Sequence, residues 1–277
     1  MAPSHRWWPA SNSERPSGVV AVAANYNTRP LIARWLWSLY RFAGSHLRSV
    51  VVVDNASTDG SADMLETVAA AGVCELIRNQ TNVQHGPALS QAISYIATRH
   101  DASAPRPWLW LLDSDCVVAR HDAVETMLSV AATSGAAVLG EPHWDRWNNE
   151  ERFLGFSVLL DPARTWRPQI GAIEDGGDPI GEFERSCRAR GVSAHPFPFT
   201  RDGHVIHLGR GTLAGLFERS EARHPLFEWA KEHHEPHFQA VPGARERYVA
   251  IVDQFEREVP DIDAASLIRA CTSGTST

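Results

Sequence analysis

The stretch Leu-Trp-Leu-Leu-Asp-Ser-Asp at residues 109–115 is an apolar run that ends in two carboxylates. Alternate residues of a strand point to the same face, so we predict that Asp113 and Asp115 address one small volume. Two carboxylates that close repel each other unless a proton or a cation lies between them. Mg²⁺ and Mn²⁺ prefer such oxygen ligands and leave positions free for phosphate oxygens. Acidic residues after strands also form turns and helix caps, so the pair alone leaves both interpretations open.

The composition is that of a globular protein without a general nucleic-acid-binding surface. The chain has 277 residues, of which 43% are hydrophobic and ten are Trp, enough for one large α/β domain or two small ones. Its formal net charge of -7 argues against a nucleic-acid partner, which would need a basic face. Any anionic substrate must therefore be held by local devices such as a metal ion, backbone amides or a few arginines.

Cysteine spacing and hydropathy indicate the compartment. The four cysteines are scattered without a C-x-x-C spacing, which is typical of reduced thiols in the cytoplasm rather than of a disulfide framework or a zinc site. No apolar run approaches the roughly 18 residues of a membrane span, and the N-terminal segment lacks the apolar region of a signal peptide. We therefore expect a cytoplasmic protein with no transmembrane segment.

Strands and helices alternate through the first 120 residues. Short apolar runs predict strands at residues 19–24, 49–53, 74–77 and 108–112, and the intervening segments predict helices at 30–43, 61–71 and 88–99. This alternation predicts an α/β fold with a mainly parallel sheet flanked by helices, whose ligand lies beyond the carboxyl ends of the strands. The polar residues that follow the first, second and fourth strands should meet there: Asn25, Tyr26, Asp54, Asn55, Asp113 and Asp115.

Two common nucleotide-binding motifs are missing from this sequence. Residues 25–30, after the first predicted strand, contain no glycine, whereas dinucleotide-binding proteins need G-x-G-x-x-G at that place. The chain also has no G-x-x-x-x-G-K-[ST] phosphate-binding loop. A phosphate-bearing ligand without a glycine cradle needs a metal ion, and Asp113 and Asp115 are able to bind one.

Four motifs in order resemble family 2 glycosyltransferases with the GT-A fold. Residues 51–61, Val-Val-Val-Asp-Asn-Ala-Ser-Thr-Asp-Gly-Ser, resemble their second-strand signature, and Asn25-Tyr26-Asn27 is similar to the end of their first strand. Asn82-x-x-x-Gly86-x-Ala88-x-x-Gln91 is similar to their third motif, and Asp113-Ser114-Asp115 to their D-x-D. The resemblance implies a metal-dependent, inverting, hexosyltransferase-type enzyme. Such an enzyme moves a sugar from a nucleotide-diphosphate donor to a hydroxyl of a small molecule, glycan or natural product.

The resemblance also implies roles for residues of the first half. Asp54 would bind the base of a UDP-, GDP- or dTDP-linked sugar, and Asp113 would face the ribose or the water shell of the metal. Asp115 would ligate the Mn²⁺ or Mg²⁺ that bridges the diphosphate. The remaining residues assigned to the nucleotide are Asn25, Tyr26, Asn27, Asn82 and Gly86. Since residues 54–61 are also typical of a turn, we favour turn and helix capping for Asp59 and Ser61, but nucleotide binding for Asp54.

The catalytic base is harder to assign. The resemblance implies a carboxylate near the start of a helix in the second half, and a helix is predicted at residues 181–190. Asp178 is our first choice because Asp-Pro-Ile-Gly directly precedes that helix, and Glu182 is the second. An acid in the first turn of a helix is also favourable for the helix itself, which is the alternative for Glu182. Glu174 and Asp175 compete for the same role.

Further candidates lie on the less regular second half, where strands are predicted at 136–139, 155–160 and 205–208. His207 resembles a histidine that completes the metal shell in several relatives, and neutral imidazole suits Mn²⁺ better than Mg²⁺. A histidine held by backbone bonds is the alternative, and Arg210 is a candidate for the diphosphate. Trp144 and Trp147 fall where the family builds its acceptor site, or else belong to the core. The histidines at 233–237 are interpreted as a solvated helix end.

We expect three parts: a flexible N-terminal arm at 1–17, a GT-A catalytic domain at 18–215, and a C-terminal helical extension with a tail at 216–277. The catalytic domain divides into a nucleotide-sugar-binding half at 18–120 and an acceptor half at 121–215. The C-terminal helices either cover the acceptor or form a homodimer. Two alternatives to the transferase remain at this point. One is a sugar-phosphate nucleotidyltransferase, and the other is a catalytically inactive nucleotide-sugar-binding protein.

Overall fold

The computed structural model describes residues 5–9, 16–101, 103–145, 149–175, 178–208 and 262–273, together with a few positions between 239 and 257. The strands are β1 (Val19–Asn25), β2 (Leu47–Asp54), β3 (Glu75–Arg78), β4 (Trp108–Leu112), β5 (Cys116–Val118), β6 (Val138–Asp145), β7 (Glu150–Leu160), β8 (Ala194–Pro196) and β9 (Val205–His207). The helices are α1 (Arg29–Ser38), α2 (Ser61–Ala70), α3 (His85–Arg99), α4 (Ala123–Ser134), α5 (Pro162–Thr165), α6 (Pro179–Ala189) and α7 (Ala264–Ser273).

A seven-stranded sheet in the order β3-β2-β1-β4-β7-β6-β8 organises these elements. The strands β3, β2, β1 and β4 are parallel to one another, and β8 is parallel to β6. Only β7 runs antiparallel to its two neighbours in this described sheet, β4 on one side and β6 on the other. The mainly parallel α/β sheet that the sequence predicts is therefore confirmed.

Side chains of the central strands alternate between two hydrophobic cores. On β2, Val50 and Val52 belong to the core beneath α1, α2, α4 and α7, whereas Val51 and Val53 belong to the core beneath α3, α5 and α6. This follows from the two-residue period of a strand. Because helices cover both faces, the strands consist of continuous apolar residues rather than alternating polar and apolar ones.

The first half agrees closely with the elements predicted from the sequence. The strands expected at 19–24, 49–53 and 108–112 are β1, β2 and β4, with small changes at their ends. The helix expected at 88–99 begins three residues earlier, at His85. The helix expected at 30–43 is α-helical only to Ser38, after which residues Leu39–Ala43 form a π-helical turn.

The second half departs more from the prediction. The strands β6 and β7 form a hairpin that extends beyond the expected residues 136–139 and 155–160, as far as Asp145 and Glu150. The strand expected at 205–208 exists as β9, but it pairs with β5 in a separate two-stranded sheet. β5 has three residues and was not predicted, because so short a strand shows no periodic pattern.

The N-terminal segment contradicts the expected flexible arm where it is described. Trp8 is only 2% exposed, and its backbone N–H donates to the carbonyl of Trp166 at 3.3 Å. The Trp166 indole donates in turn to the carbonyl of Arg6 at 2.8 Å. The Trp8 ring packs on His100 with 4.9 Å between the ring centroids. Large aromatic side chains gain enough from burial to order this segment, which outweighs its polar sequence neighbours.

The C-terminal extension is described mainly through α7. This helix packs against α1 and α2, and Leu267 and Cys271 are buried there. We expected the tail to be disordered from Cys271 onward, and this is wrong for residues 271–273, which complete α7. All four cysteines are buried free thiols. None of the helices that the structure describes is long and apolar enough to cross a membrane.

Candidate active site

The carboxyl ends of β1 and β2 meet through a side-chain network around Asp54. The Asn25 amide donates to Oδ1 of Asp54 at 2.8 Å and to the Ser57 hydroxyl at 3.1 Å. Oδ2 of Asp54 accepts the backbone N–H of Ser57 at 3.0 Å. The side chain of Asp54 is 0% exposed, so it shapes the turn after β2 through these bonds. Asn25 and Asp54 are thus brought together as predicted.

The loop after β1 is held against the turn after β2. The side-chain oxygen of Asn27, whose φ is 55°, accepts the backbone N–H of Thr58 at 2.7 Å. Tyr26 is partly exposed between the buried residues Asn25 and Asn27. Hydrogen bonds between the two turns therefore fix the polar residues at this edge of the sheet.

Thr28 connects this edge to the acidic pair. Its hydroxyl donates to Oδ1 of Asn25 at 2.7 Å and lies 3.2 Å from the Ser114 hydroxyl. Ser114 stands between the two aspartates in sequence. The prediction that the polar groups after the first, second and fourth strands gather at one edge is confirmed by these bonds.

The acidic pair occupies a turn rather than a strand, which corrects the expected geometry. β4 ends at Leu112, and the N–H of Cys116 donates to the carbonyl of Asp113 at 3.0 Å, which closes the turn. The N–H of Asp113 still donates to the carbonyl of Phe156 on β7, at 2.8 Å. The carbonyl of Asp115 accepts the N–H of Leu208 at 3.1 Å. The two carboxylates are close because of this turn, and not because of strand alternation.

The electrostatics of the turn show a shortage of positive charge. Burial, reinforced by the neighbouring charge of Asp115, raises the pKa of Asp113 to about 7. His85 Nε2 lies 3.4 Å from Oδ1 of Asp113. Burial lowers the pKa of His85, and the charge of Asp115 only partly offsets this effect. A neutral imidazole does little to compensate two carboxylates, so the turn favours a cation.

His207 lies beside Asp115, the second aspartate of the acidic turn. Its Nε2 lies 3.6 Å from Oδ1 of Asp115, and its ring stacks on Phe156 with 4.2 Å between centroids. His207 and Cys116 are directly paired across β9 and β5. Among the described residues, the side chains of Asp115, Cys116 and His207 form a group whose potential ligand atoms all lie within 4.8 Å of one another. The predicted proximity of His207 to Asp115 is therefore present, and Cys116 is an addition that sequence reasoning missed.

Mn²⁺ or Mg²⁺ is compatible with these residues. Carboxylate oxygens suit both ions, and an imidazole nitrogen suits Mn²⁺ better than Mg²⁺. The donor atoms of Asp115 and His207 are near enough to share one ion after small side-chain adjustments. The raised pKa of Asp113 also favours a cation at this turn.

The third motif mainly builds the joint between α3 and the segment before α6. A side chain at Gly86 would overlap the carbonyl oxygen of Glu174, and its Cβ would lie 3.0 Å from that of Pro179. Oδ1 of Asn82 accepts the N–H of Gln84 at 2.8 Å and so shapes the turn into α3. Gln91 accepts from the amide of Asn79 at 2.9 Å. His85, in the same motif, was not singled out from the sequence, since nothing in the pattern indicates its contact with Asp113.

The candidate bases lie at the start of α6. Asp178 is the N-cap of this helix: its Oδ1 accepts the N–H of Gly181 at 3.2 Å, and Oδ2 forms an ion pair with Arg152. Gly181 has no side chain that would collide with this carboxylate. Glu182 is exposed in the first turn of α6, and Glu174 and Asp175 are exposed just before it. The structure therefore holds Asp178 in a fixed position and leaves Glu182 solvated.

Of the remaining candidate residues, some lie in the part of the chain that the structure describes and others do not. Asp59 accepts the N–H groups of Arg29 at 2.8 Å and of Ser61 at 2.9 Å, which agrees with the turn interpretation, while the N-cap of α2 is Gly60. Trp144 lies on β6 and is 56% exposed, so it is not a core residue. Trp147, Arg210 and the histidines at 233–237 lie outside the described residues.

The mainly parallel α/β sheet flanked by helices is that of the GT-A fold. Residues 21–194, more than half of the chain, match the family described as Glycosyl transferase family 2. The chain belongs to this family and is a glycosyltransferase. No curated protein matches the chain significantly in sequence.

One solved structure supports this fold, and two others are similar to the chain at lower TM-scores. The mannosyltransferase PcManGT from Pyrobaculum calidifontis, in complex with GDP-Man and Mn²⁺, is 18% identical and superimposes with a TM-score of 0.52, over 98% of this chain and 84% of that chain. S. aureus TarS 1-349 is 13% identical with a TM-score of 0.48, over 92% and 90% of the two chains. Glucosyl-3-phosphoglycerate synthase from Mycobacterium tuberculosis, in complex with Mg²⁺ and UDP, is 14% identical with a TM-score of 0.46, over 65% and 68%.

Proposed function

We propose that this glycosyltransferase is metal-dependent and inverting, and that it moves a sugar from a nucleotide-diphosphate donor to an acceptor hydroxyl. The observation that carries the proposal is a hydrogen-bonded connection, at one edge of the sheet, between the polar residues around Asp54 and the acidic turn. Thr28 connects Asn25 and Asp54, the proposed base-binding edge, to Ser114 in the acidic turn. The base and the diphosphate of one donor are joined through the ribose, so their binding groups have to lie near each other at one edge.

Asp115 and His207 are the proposed ligands of Mn²⁺ or Mg²⁺, with Asp113 facing the ribose or the water shell of the ion. When bound, the ion stabilises the negative charge that develops on the departing nucleoside diphosphate. The fold neighbour from Pyrobaculum was solved with GDP-Man and Mn²⁺. This supports including GDP-mannose among the donors tested, beside UDP- and dTDP-linked sugars.

For the acceptor side, we propose Asp178 as the base, with Glu182 as the alternative. The acceptor oxygen attacks the anomeric carbon on the face opposite the diphosphate as that bond breaks, which inverts the anomeric centre, and a carboxylate takes the hydroxyl proton. Support comes from the joint at Gly86: it places the start of α6 against the start of α3, whose His85 reaches Asp113. The ion pair with Arg152 orients the Asp178 carboxylate.

The exposed Trp144 is the proposed acceptor platform. It lies on the outer part of β6, and its exposed face suits a sugar ring or an aromatic aglycone of a natural product. A substitution of Trp144 by Ala should raise the acceptor KM and leave the donor KM unchanged.

The test is a panel of UDP-, GDP- and dTDP-sugars incubated with Mn²⁺, Mg²⁺ or EDTA, followed by the release of nucleoside diphosphate. We expect release from one nucleotide series, with metal and not with EDTA. Asp115→Asn should abolish it, whereas Asp63→Asn, on the exposed first turn of α2, should not. Formation of nucleoside triphosphate and sugar 1-phosphate after the addition of pyrophosphate would indicate a nucleotidyltransferase. Binding without any release, across the whole panel, would indicate an inactive binding protein.

The base is tested separately with Asp178→Asn and Glu182→Gln. Loss of a general base should lower kcat by about 100-fold or more and leave donor binding intact. Since Asp178 also caps α6, a thermal melt of each variant separates a catalytic loss from a folding loss. A full loss in Glu182→Gln with an active Asp178→Asn would move the assignment to Glu182.

A further inference from the structure

The residue that follows the acidic pair extends the proposed metal site. We propose that Cys116 is a third metal donor beside Asp115 and His207. These three side chains would form a site for a thiophilic divalent ion, such as Zn²⁺ or Cd²⁺, that overlaps the site for Mn²⁺ or Mg²⁺. The competition part of this inference rests on the proposed metal-dependent function, whereas the binding part rests only on the three side chains.

Strand pairing places the sulfur near the other two donors. Cys116 and His207 are direct partners across the antiparallel pair β5–β9, so their side chains point to the same face. The Sγ of Cys116, the carboxylate oxygens of Asp115 and the ring nitrogens of His207 offer ligand atoms within 4.8 Å of one another. Two paired strands and the turn residue before β5 therefore hold a sulfur, a nitrogen and an oxygen together.

The distances suit one tetrahedral ion after small movements. With metal–ligand bonds of about 2.0–2.3 Å, two donors on the same ion lie roughly 3.4–3.6 Å apart. His207 Nε2 and Asp115 Oδ1 are 3.6 Å apart already. The sulfur lies within 4.8 Å of the other two donors and has to move closer to them to share the ion.

The surroundings of the cluster fix its orientation. The Cys116 thiol lies 3.6 Å from the carbonyl of Phe156, and the ring of the same Phe156 stacks on His207. The N–H of Leu208 holds the carbonyl of Asp115 at 3.1 Å. Phe156 of β7 thus contacts two of the three donor residues, Cys116 and His207. Leu208, which directly follows β9, contacts the third, Asp115.

The chemistry of the donor set selects the kind of ion. Thiolate sulfur is a soft ligand that favours zinc-like ions, whereas Mg²⁺ and Mn²⁺ favour oxygen. On binding, the thiol loses its proton to solvent, a metal–sulfur bond forms, and the ion gives up a water molecule. The hard ions gain little from this exchange and would use the carboxylates and imidazole alone. A thiophilic ion would occupy Asp115 and His207 as well and so displace the hard ion.

The test uses the purified full chain, stripped with EDTA and titrated with Cd²⁺ in the absence of donor and acceptor. We expect an ultraviolet thiolate-to-metal charge-transfer band that saturates at one Cd²⁺ per chain. Cys116→Ser should lose this band, while Cys187→Ser, which removes a buried thiol on α6, should keep it. A band that survives in Cys116→Ser, or no band in the wild-type chain, overturns the proposal.

A second pair of variants protects the test against a folding defect in Cys116→Ser. Asp115→Asn and His207→Gln retain the thiol and should weaken Cd²⁺ binding, with the band displaced to higher Cd²⁺ concentration. An unchanged titration in both would show that the sulfur binds without them and would overturn the site. In the wild-type chain, Zn²⁺ should release bound Mn²⁺, measured as the free-Mn²⁺ signal in electron paramagnetic resonance.

The two proposals fail in different ways. A Cd²⁺ band without any sugar transfer would leave the thiophilic site in place and reject the proposed reaction. Metal-dependent transfer that is equally sensitive to Zn²⁺ in the wild type and in Cys116→Ser would keep the reaction and reject the role of Cys116.

Discussion

The imidazole Nε2 of His85 lies 3.4 Å from Oδ1 of Asp113. His207 has the same relation to Asp115, at 3.6 Å, so each aspartate of the acidic turn has one imidazole beside it. The two histidines come from different elements, α3 and β9. His207 was expected near the metal, whereas His85 is a contact that only the fold brings about.

We predict that His85 positions Asp113 for metal and donor binding. Since groups that surround the ligands of a metal ion are worth about 10- to 100-fold in affinity, His85→Ala should weaken Mn²⁺ binding by about 10-fold. His85→Gln keeps a donor of similar reach and should restore most of the affinity. Calorimetric Mn²⁺ titrations of both variants measure this difference. Equal affinities in the wild type and in His85→Ala would contradict the prediction.

Gly86 should be intolerant of any side chain. In Gly86→Ala the new Cβ would collide with the carbonyl of Glu174, and overpacking of this kind costs about 1–3 kcal/mol. We expect a lower midpoint in urea unfolding, together with a loss of activity because the start of α6 is displaced. Ser94→Ala on the same helix is the control, because the Ser94 hydroxyl has no hydrogen-bond partner among the described residues. A Gly86→Ala variant as stable as this control would refute the close contact.

Trp8 should contribute to the stability of the domain, although it lies near the N-terminus. Truncation of a buried large aromatic residue costs about 3 kcal/mol or more, so Trp8→Ala should lower the free energy of unfolding by about that amount. Trp144→Ala removes an indole that is 56% exposed and should leave stability unchanged. Guanidinium unfolding followed by circular dichroism compares the two. Similar unfolding curves for both variants would mean that the N-terminal segment is not docked.

The ion pair of Arg106 with Asp161 should be costly to break. Nε and one terminal nitrogen of Arg106 contact the two oxygens of Asp161 at 2.9 and 3.0 Å, and the side chains are 10% and 3% exposed. Arg106→Ala leaves a buried carboxylate without its partner, which costs roughly 3–5 kcal/mol. The exposed pair of Arg120 and Asp122 is the control, and Arg120→Ala should leave the unfolding midpoint nearly unchanged. A small effect in both variants would show that water replaces the lost guanidinium.

The sequence predicted the first half well because its signals are local. Apolar runs such as residues 19–24 and 108–112 are bounded by polar turns, and the motif at 51–61 indicates a family as well as a strand end. The residues that follow these strands meet at one edge simply because parallel strands end on the same side. Asn25, Asp54 and Asp115 could therefore be assigned to one site from the sequence.

The remaining parts depend on contacts between distant residues. The three-residue strands β5 and β9 become strands by pairing with each other, and this pairing alone brings Cys116 to His207. The turn at Asp113 depends on β7, which lies some forty residues later in the chain. Asp178 likewise depends on a distant residue. Its position before a helix was predicted, but its ion-pair partner Arg152 lies on β7, and nothing in the sequence near Asp178 indicates that contact.

The antiparallel strand β7 has a consequence for how this chain can be divided. Although the nucleotide-sugar-binding half was expected to end near residue 120, β7 comes from the acceptor half and pairs with β4. A chain cut in the exposed segment before α4 would thus yield two fragments with complementary strand edges. When the fragments meet, residues 109–112 of the first would pair as a strand with residues 157–160 of the second. Neither fragment alone would complete the acidic turn, so this glycosyltransferase is suited to a split enzyme in which restored activity reports that its two pieces have met.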